Sequence, residues 1–142
     1  MQWRSPRSWP RATFAGYACS SSGCGLGLPS LAAARGGAQV LATDWADDAL
    51  ALLRVNAARN AVALEVQSVD WREPAELGTF DLVLAADVLY ERRYVDVLVE
   101  LLPRLGGEVL LSDPGRPFLR PFLERLPAVE IAPRVYALTP RR

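Results

Sequence analysis

Three glycines set two apart, Gly23, Gly25 and Gly27, stand just ahead of a helix-like segment, and Asp44 ends the strand-like run that follows it. A glycine-rich turn lets backbone N–H groups come close to a bulky polar ligand, because no Cβ intervenes. An acidic side chain at the tip of the next strand, about 20 residues on, can accept hydrogen bonds from both hydroxyls of a ribose. Asp70 and Asp87 follow two later strand-like runs. The chemistry this set suits is the binding of a ligand that contains a nucleoside.

Composition narrows the remaining chemistry. Every basic residue is arginine, and the chain has neither lysine nor histidine. That removes the usual general base, the usual zinc ligand and any Ser-His triad. Two cysteines, Cys19 and Cys24, are too few for a metal knot or a disulfide framework, so no metal is expected. Sixteen basic and sixteen acidic residues cancel, which leaves no basic footprint for nucleic acid. No apolar span suits a membrane and no signal peptide is evident, so a cytoplasmic monomer without a nucleic-acid or membrane partner is expected.

The elements that must position these residues alternate along the chain. Pro29 is tolerated in the first turn of a short Ala-rich helix from Leu28 to Arg35, which Gly36-Gly37 ends. Gln39 to Thr43 reads as a buried strand. Asp47 to Arg59 follows as a helix, its apolar side on Leu50, Leu53, Val55 and Ala57. Strands are expected at Ala63 to Val66, Phe80 to Leu84 and Glu108 to Leu111, and helices at Tyr94 to Leu105 and Phe118 to Leu126. Val129 to Ala132 and Val135 to Leu138, split by Pro133-Arg134, read as a terminal antiparallel hairpin. This order predicts an α/β fold: a Rossmann-like, doubly wound, mostly parallel sheet, with the ligand beyond the carboxyl ends of its strands.

From Gly23 to about Leu138 the chain resembles the class I, seven-β-strand methyltransferases. Within them it is similar to the protein-lysine methyltransferase branch whose members act on calmodulin and on the electron-transfer flavoprotein β subunit. The motifs that carry this are Gly23-Cys24-Gly25-Leu26-Gly27-Leu28-Pro29-Ser30, Ala42-Thr43-Asp44-Trp45, Asp70-Trp71 and Ala86-Asp87-Val88-Leu89-Tyr90. The resemblance implies S-adenosylmethionine as cofactor and a protein lysine or other nitrogen as methyl acceptor. By it, Gly23, Gly25 and Gly27 cradle the methionine end of the cofactor, Asp44, beside Trp45, holds the ribose, and Asp70 accepts from the adenine amine with Trp71 packed on the ring. Ala86 and Asp87 form the floor shared by cofactor and substrate, and Tyr90 completes an Asp-x-x-Tyr pattern lining the target amine. Asp87 and Tyr90 are then the catalytic candidates.

The resemblance breaks at the front. An apolar strand ending in an acidic residue is expected before Gly23, yet Cys19-Ser20-Ser21-Ser22 makes a poor buried strand and Ser21 stands at the acidic position. Residues 1–22 therefore read as a poorly ordered or frameshifted segment, with a cofactor-binding domain over residues 23–142 and a degraded first strand. Two competing functions stand beside the leading one. A non-catalytic remnant of the fold would follow from the damaged front. A nicotinamide-dependent oxidoreductase is weakened by Pro29 or Ser30 at the third glycine position and by the missing lysine and histidine. Each motif also has a plainer reading: Asp44 as a helix N-cap, Asp70-Trp71 as a loop aspartate beside a core tryptophan, and Tyr90 as packing. Asp113-Pro114-Gly115 then reads as a turn, Arg92-Arg93 as a solvated helix start, and Cys24 as a small filler.

Overall fold

The computed structural model describes residues 16–23, 25, 27–74 and 77–138. Residues 1–15, which make up most of the atypical front segment, lie outside them, as do Cys24 and Leu26. The described residues form one seven-stranded sheet in the order β3-β2-β1-β4-β5-β7-β6. The strands are β1 (Ala18–Ser22), β2 (Gln39–Asp44), β3 (Glu65–Ser68), β4 (Leu82–Ala86), β5 (Glu108–Ser112), β6 (Ala128–Ala132) and β7 (Val135–Leu138). The helices are α1 (Leu28–Arg35), α2 (Asp47–Arg59), α3 (Arg93–Arg104) and α4 (Leu119–Arg125). Strands β1 to β5 pair in parallel, whereas β7 runs antiparallel to β5 and to β6. The expected doubly wound sheet with a reversed terminal hairpin is present.

Successive side chains of a strand point to opposite faces, and β4 and β5 divide their residues accordingly. Leu82 and Leu84 of β4 join Ala33 of α1 and Leu50 and Leu53 of α2 on one face. Val83 and Ala85 join Leu98 and Leu102 of α3 and Phe122 of α4 on the other. Helix α3 buries Tyr94, Val95, Leu98, Val99, Leu101 and Leu102, the recurrence of one apolar side every three to four residues. Its last turn carries Pro103, and the chain then reverses at Gly106-Gly107. A Cβ on Gly107 would run into the carbonyl oxygens of Phe80 and Asp81, so glycine is required for that close approach.

The strand order reverses between β1 and β4, which both lie at the centre of the sheet. The serine-rich segment forms that central strand: Cys19 pairs with Val40 on one side and Leu82 on the other, and Ser22 with Thr43 and Ala85. Ladders on both sides satisfy its backbone, and Asp81 fastens its start by accepting the Ala18 N–H at 2.8 Å. Ser20, Ser21 and Ser22 are all buried. Of the three, Ser20 is the one whose hydroxyl is buried without a hydrogen-bond partner among the described residues. An unsatisfied buried hydroxyl of this kind costs about 1–3 kcal/mol.

Two strands begin later than the sequence pattern predicts. β3 starts at Glu65 because its register against β2 carries it to Ser68 opposite Asp44, leaving Ala63 and Leu64 in the preceding loop. β4 starts at Leu82 because Phe80 and Asp81 donate their N–H groups to Leu105 and Ala18 before the ladder begins.

Candidate functional site

The connections leaving β1 and β4 turn to opposite faces of the sheet, which opens a crevice at the strands' carboxyl ends. A cavity of about 500 Å³ lies there, lined by Gly23, Gly25, Gly27, Leu28, Pro29, Asp44, Trp45, Trp71, Ala86, Asp87, Val88 and Tyr90. Four separate strand ends contribute to it: the glycine turn follows β1, Asp44 ends β2, Trp71 follows β3, and Ala86-Asp87 closes β4.

The glycine turn is held by both its own conformation and Asp44. Gly23, Gly25 and Gly27 take φ of 63°, 50° and 87°, in the left-handed region. A Cβ on Gly23 would stand 2.6 Å from the Trp71 ring, and one on Gly27 would strike the Leu53 side chain. Gly25 differs: among the described residues nothing lies within 4 Å of where its Cβ would stand. The space beside it is room for a ligand. Asp44 accepts the Gly25 N–H with Oδ2 and the Ala46 N–H with Oδ1, each at 3.0 Å, so it ties the glycine turn to the end of β2 and closes the bend that leads into α2. A carboxylate has about four lone-pair sites, so two remain for a ligand's hydroxyls. The plain reading of Asp44 as a helix N-cap does not hold, since Ala46 occupies the N-cap of α2 with no side-chain cap bond, while the turn bonds of Asp44 leave room for a ribose.

Two tryptophans differ in use. Trp45 is 59% exposed and lines the cavity, whereas Trp71 is 5% exposed beneath the glycine turn. Trp71 meets Tyr94 edge to face at 5.1 Å, and Tyr94 meets Tyr90 at 5.0 Å. Desolvation at the cavity wall, followed by its contact with Tyr94, pushes the Tyr90 phenol above its ordinary range. The Trp71 indole nitrogen is buried with no hydrogen-bond partner among the described residues.

Asp70 is not in the main cavity. It lines an adjoining one of about 130 Å³ with Arg72, Arg93 and Tyr94, and the two cavities share Trp45 and Trp71. Arg72 donates to both oxygens of Asp70, at 3.0 and 2.7 Å, and its N–H reaches Oδ1 at 2.9 Å. These bonds hold the carboxyl down to about 2. Asp44 and Asp87 thus line one cavity with Gly25, and Asp70 lines the adjoining one.

The residue the sequence reading missed is Arg116. Its guanidinium pairs with both oxygens of Asp87, Nε to Oδ1 at 2.8 Å and Nη2 to Oδ2 at 2.9 Å. This fork holds the Asp87 carboxyl below its ordinary value. Asp87 itself sits at φ 52°, uncommon for a residue with a Cβ, and donates its N–H to the Ser112 carbonyl at 2.9 Å. Asp113 does form a turn, as its Asp-Pro-Gly sequence suggests, accepting the Gly115 and Arg116 N–H groups at 2.8 and 2.7 Å. That turn aims Arg116 at the neighbouring strand end. Arg93, at the start of α3, is solvated as expected and paired with Glu91 at 2.7 Å. Among the described residues no group of acidic, cysteine or histidine side chains could hold a metal, and no helix is long and apolar enough to cross a membrane.

Against known proteins, residues 21–110 match a family described as lysine methyltransferase. The chain is 33% identical over 103 residues to the electron transfer flavoprotein beta subunit lysine methyltransferase of Xenopus laevis, covering 66% of this chain and 40% of that protein. It is 32% identical over 111 residues to a ubiquinone biosynthesis O-methyltransferase of Xanthomonas oryzae pv. oryzae, covering 75% of this chain and 46% of that protein. The chain therefore spans less than half the length of these two relatives. A TehB-like SAM-dependent methyltransferase from Corynebacterium glutamicum has the same fold, with a TM-score of 0.71 at 16% identity over 89% of this chain and 82% of that one.

Proposed function

The chain belongs to the lysine methyltransferase family, and on that premise we propose that it moves a methyl group from S-adenosylmethionine to a nitrogen, a protein lysine side chain first among the candidates. The observation that carries this reading is Asp44 bonded to Gly25 N–H beside space that no other described residue fills. The residues present fit the cofactor. Gly23, Gly25 and Gly27 leave the backbone bare for its methionine end, and Asp44 keeps lone pairs for the ribose hydroxyls. The exposed Trp45 and the buried Trp71 bound the adenine. Asp70, whose Oδ2 keeps a lone pair beside Arg72, is the acceptor for the adenine amine.

Bound there, the cofactor supplies a methyl group on a sulfonium, a leaving group that needs no acid. The chain's own part is alignment and exclusion of water. Ala86 and Asp87 form the floor on which the acceptor amine rests, Asp87 receives one of its N–H bonds, and Tyr90 walls the approach. A bound lysine must arrive as the neutral amine, with water taking the proton, so a chain without histidine is equal to the chemistry.

The test has two arms. Titration calorimetry with S-adenosylhomocysteine should show binding on the order of tens of micromolar, and radiolabelled cofactor should mark proteins of a cell lysate. Because the chain has no lysine, lysine label on the enzyme itself is excluded as background. No binding at millimolar ligand overturns the reading. A second reading, a non-catalytic remnant of the fold, is favoured by the unpartnered Ser20 hydroxyl in the central strand; binding without transfer to any protein selects it.

A further inference from the structure

The Asp87–Arg116 pair joins two strand ends across the rim of the cavity. Each partner is held independently of the other. Asp87 is anchored by its N–H on Ser112, and the backbone of Arg116 is anchored on Asp113, which is 2% exposed. A loose surface pair contributes little, but a guanidinium fork on a carboxylate fixes orientation as well as charge.

We propose that Arg116 is a positioning residue for methyl transfer: paired with both oxygens of Asp87, it presents the acceptor amine with a charge-compensated carboxylate. The inference rests on the reading of Asp87 as the amine's seat. An unpaired carboxylate beside an amine stabilises the ammonium form, and an ammonium has no lone pair with which to attack. The neutral amine forms its new N–C bond as the methyl C–S bond breaks, the bonding pair stays on sulfur, and the surplus proton on nitrogen passes to water. With Arg116 in place Asp87 still accepts one N–H from the amine through a spare lone pair, without holding the extra proton on it. The charged and titratable groups around Asp87 are Arg116, with Asp113 behind it, Tyr90 from the loop after β4, and Asp44 lining the same cavity.

The experiment compares the full chain with Arg116→Gln and Arg116→Lys. It follows transfer to poly-L-lysine from about pH 6 to about pH 10, the span over which an amine loses its proton, and S-adenosylhomocysteine affinity by calorimetry. For Arg116→Gln we expect affinity within about twofold, a lower KM for poly-lysine, and a rising limb of kcat displaced upward by about half to one pH unit, a range that allows for solvent screening. Arg116→Lys, which keeps the charge and loses the fork, should fall between. An unmoved limb, with kcat lowered equally at every pH or KM raised, overturns the proposal. If Arg116→Gln fails to fold, the limb of Arg116→Lys decides in the same way. If the parent chain transfers no methyl to the polymer at any pH, the acceptor reading falls and takes this inference with it.

Discussion

The two faces of the sheet are built differently. The face under α1 and α2 buries the small side chains Cys19, Ala33, Ala38 and Ala42, and its buried leucines are Leu50, Leu53 and Leu82. The face under α3 and α4 is packed with Leu98, Leu101, Leu102, Leu105, Phe122 and Leu126, and with two aromatics, Trp71 and Tyr94. Small residues let α1 lie close to the sheet, so that the glycine turn at its start meets the end of β2. One face supplies most of the packing volume and lends Trp71 to the cavity wall, and the other gives up volume for a bare backbone there.

The largest effect is expected of Phe122→Ala, which empties a site of zero exposure on the α3/α4 face. A loss of about 3–5 kcal/mol is expected in urea melts, with S-adenosylhomocysteine affinity of the folded fraction unchanged. A similar loss of affinity would deny that contrast. Gly27→Ala should act in the opposite sense. Its Cβ meets Leu53 at φ 87°, so the turn shifts, and ligand affinity should fall more than about tenfold, worth about 1.4 kcal/mol, in calorimetry. Ser20→Ala removes a buried hydroxyl that has no partner, and a gain of about 1 kcal/mol in the midpoint-derived stability is expected; a loss would mean that the hydroxyl is satisfied.

The smallest effect concerns the forked pair. Arg116 holds the Asp87 carboxyl below its ordinary value, so the folded value lies under the unfolded one. The resulting stabilisation is present above about pH 4 and is lost as pH falls below it through the folded value. Melts at stepped pH should show Arg116→Gln losing less stability on acidification than the parent; an identical slope would show that the pair adds nothing to the fold. Both side chains are nearly half exposed, so solvent screening keeps the change small.

Much of this architecture was legible in the sequence. Helices α1 and α2 match the expected ranges to the residue, because a glycine turn, a proline in the first turn and a Gly-Gly stop bracket one, and a paired aspartate start marks the other. The terminal hairpin was marked by Pro133-Arg134. Asp44 and Asp87 were visible as carboxylates following apolar runs. What could not be read was pairing. The late starts of β3 and β4 depend on register against neighbours, and Asp70's separation from the main cavity depends on Arg72 two residues later turning back on it. The buried central strand was read as poor because its serines lack apolar side chains, yet ladders on both sides bind its backbone.

Arg116 marks the limit of legibility most clearly. The Asp-Pro-Gly turn before it carried a local signal, since Asp113 caps its own following residues, but nothing local connects Arg116 with a carboxylate 29 positions earlier. The amino-acid order alone determined the alternation of elements, the glycine turn, and the aspartates that end β2 and β4, because these follow from backbone freedom and periodicity within a few residues. Tertiary structure alone decided that β4 and β5 lie side by side, so that the turn after one delivers a guanidinium to the carboxylate after the other. Strand adjacency is set by which apolar faces are buried together across the whole sheet, and no short stretch of chain contains that information.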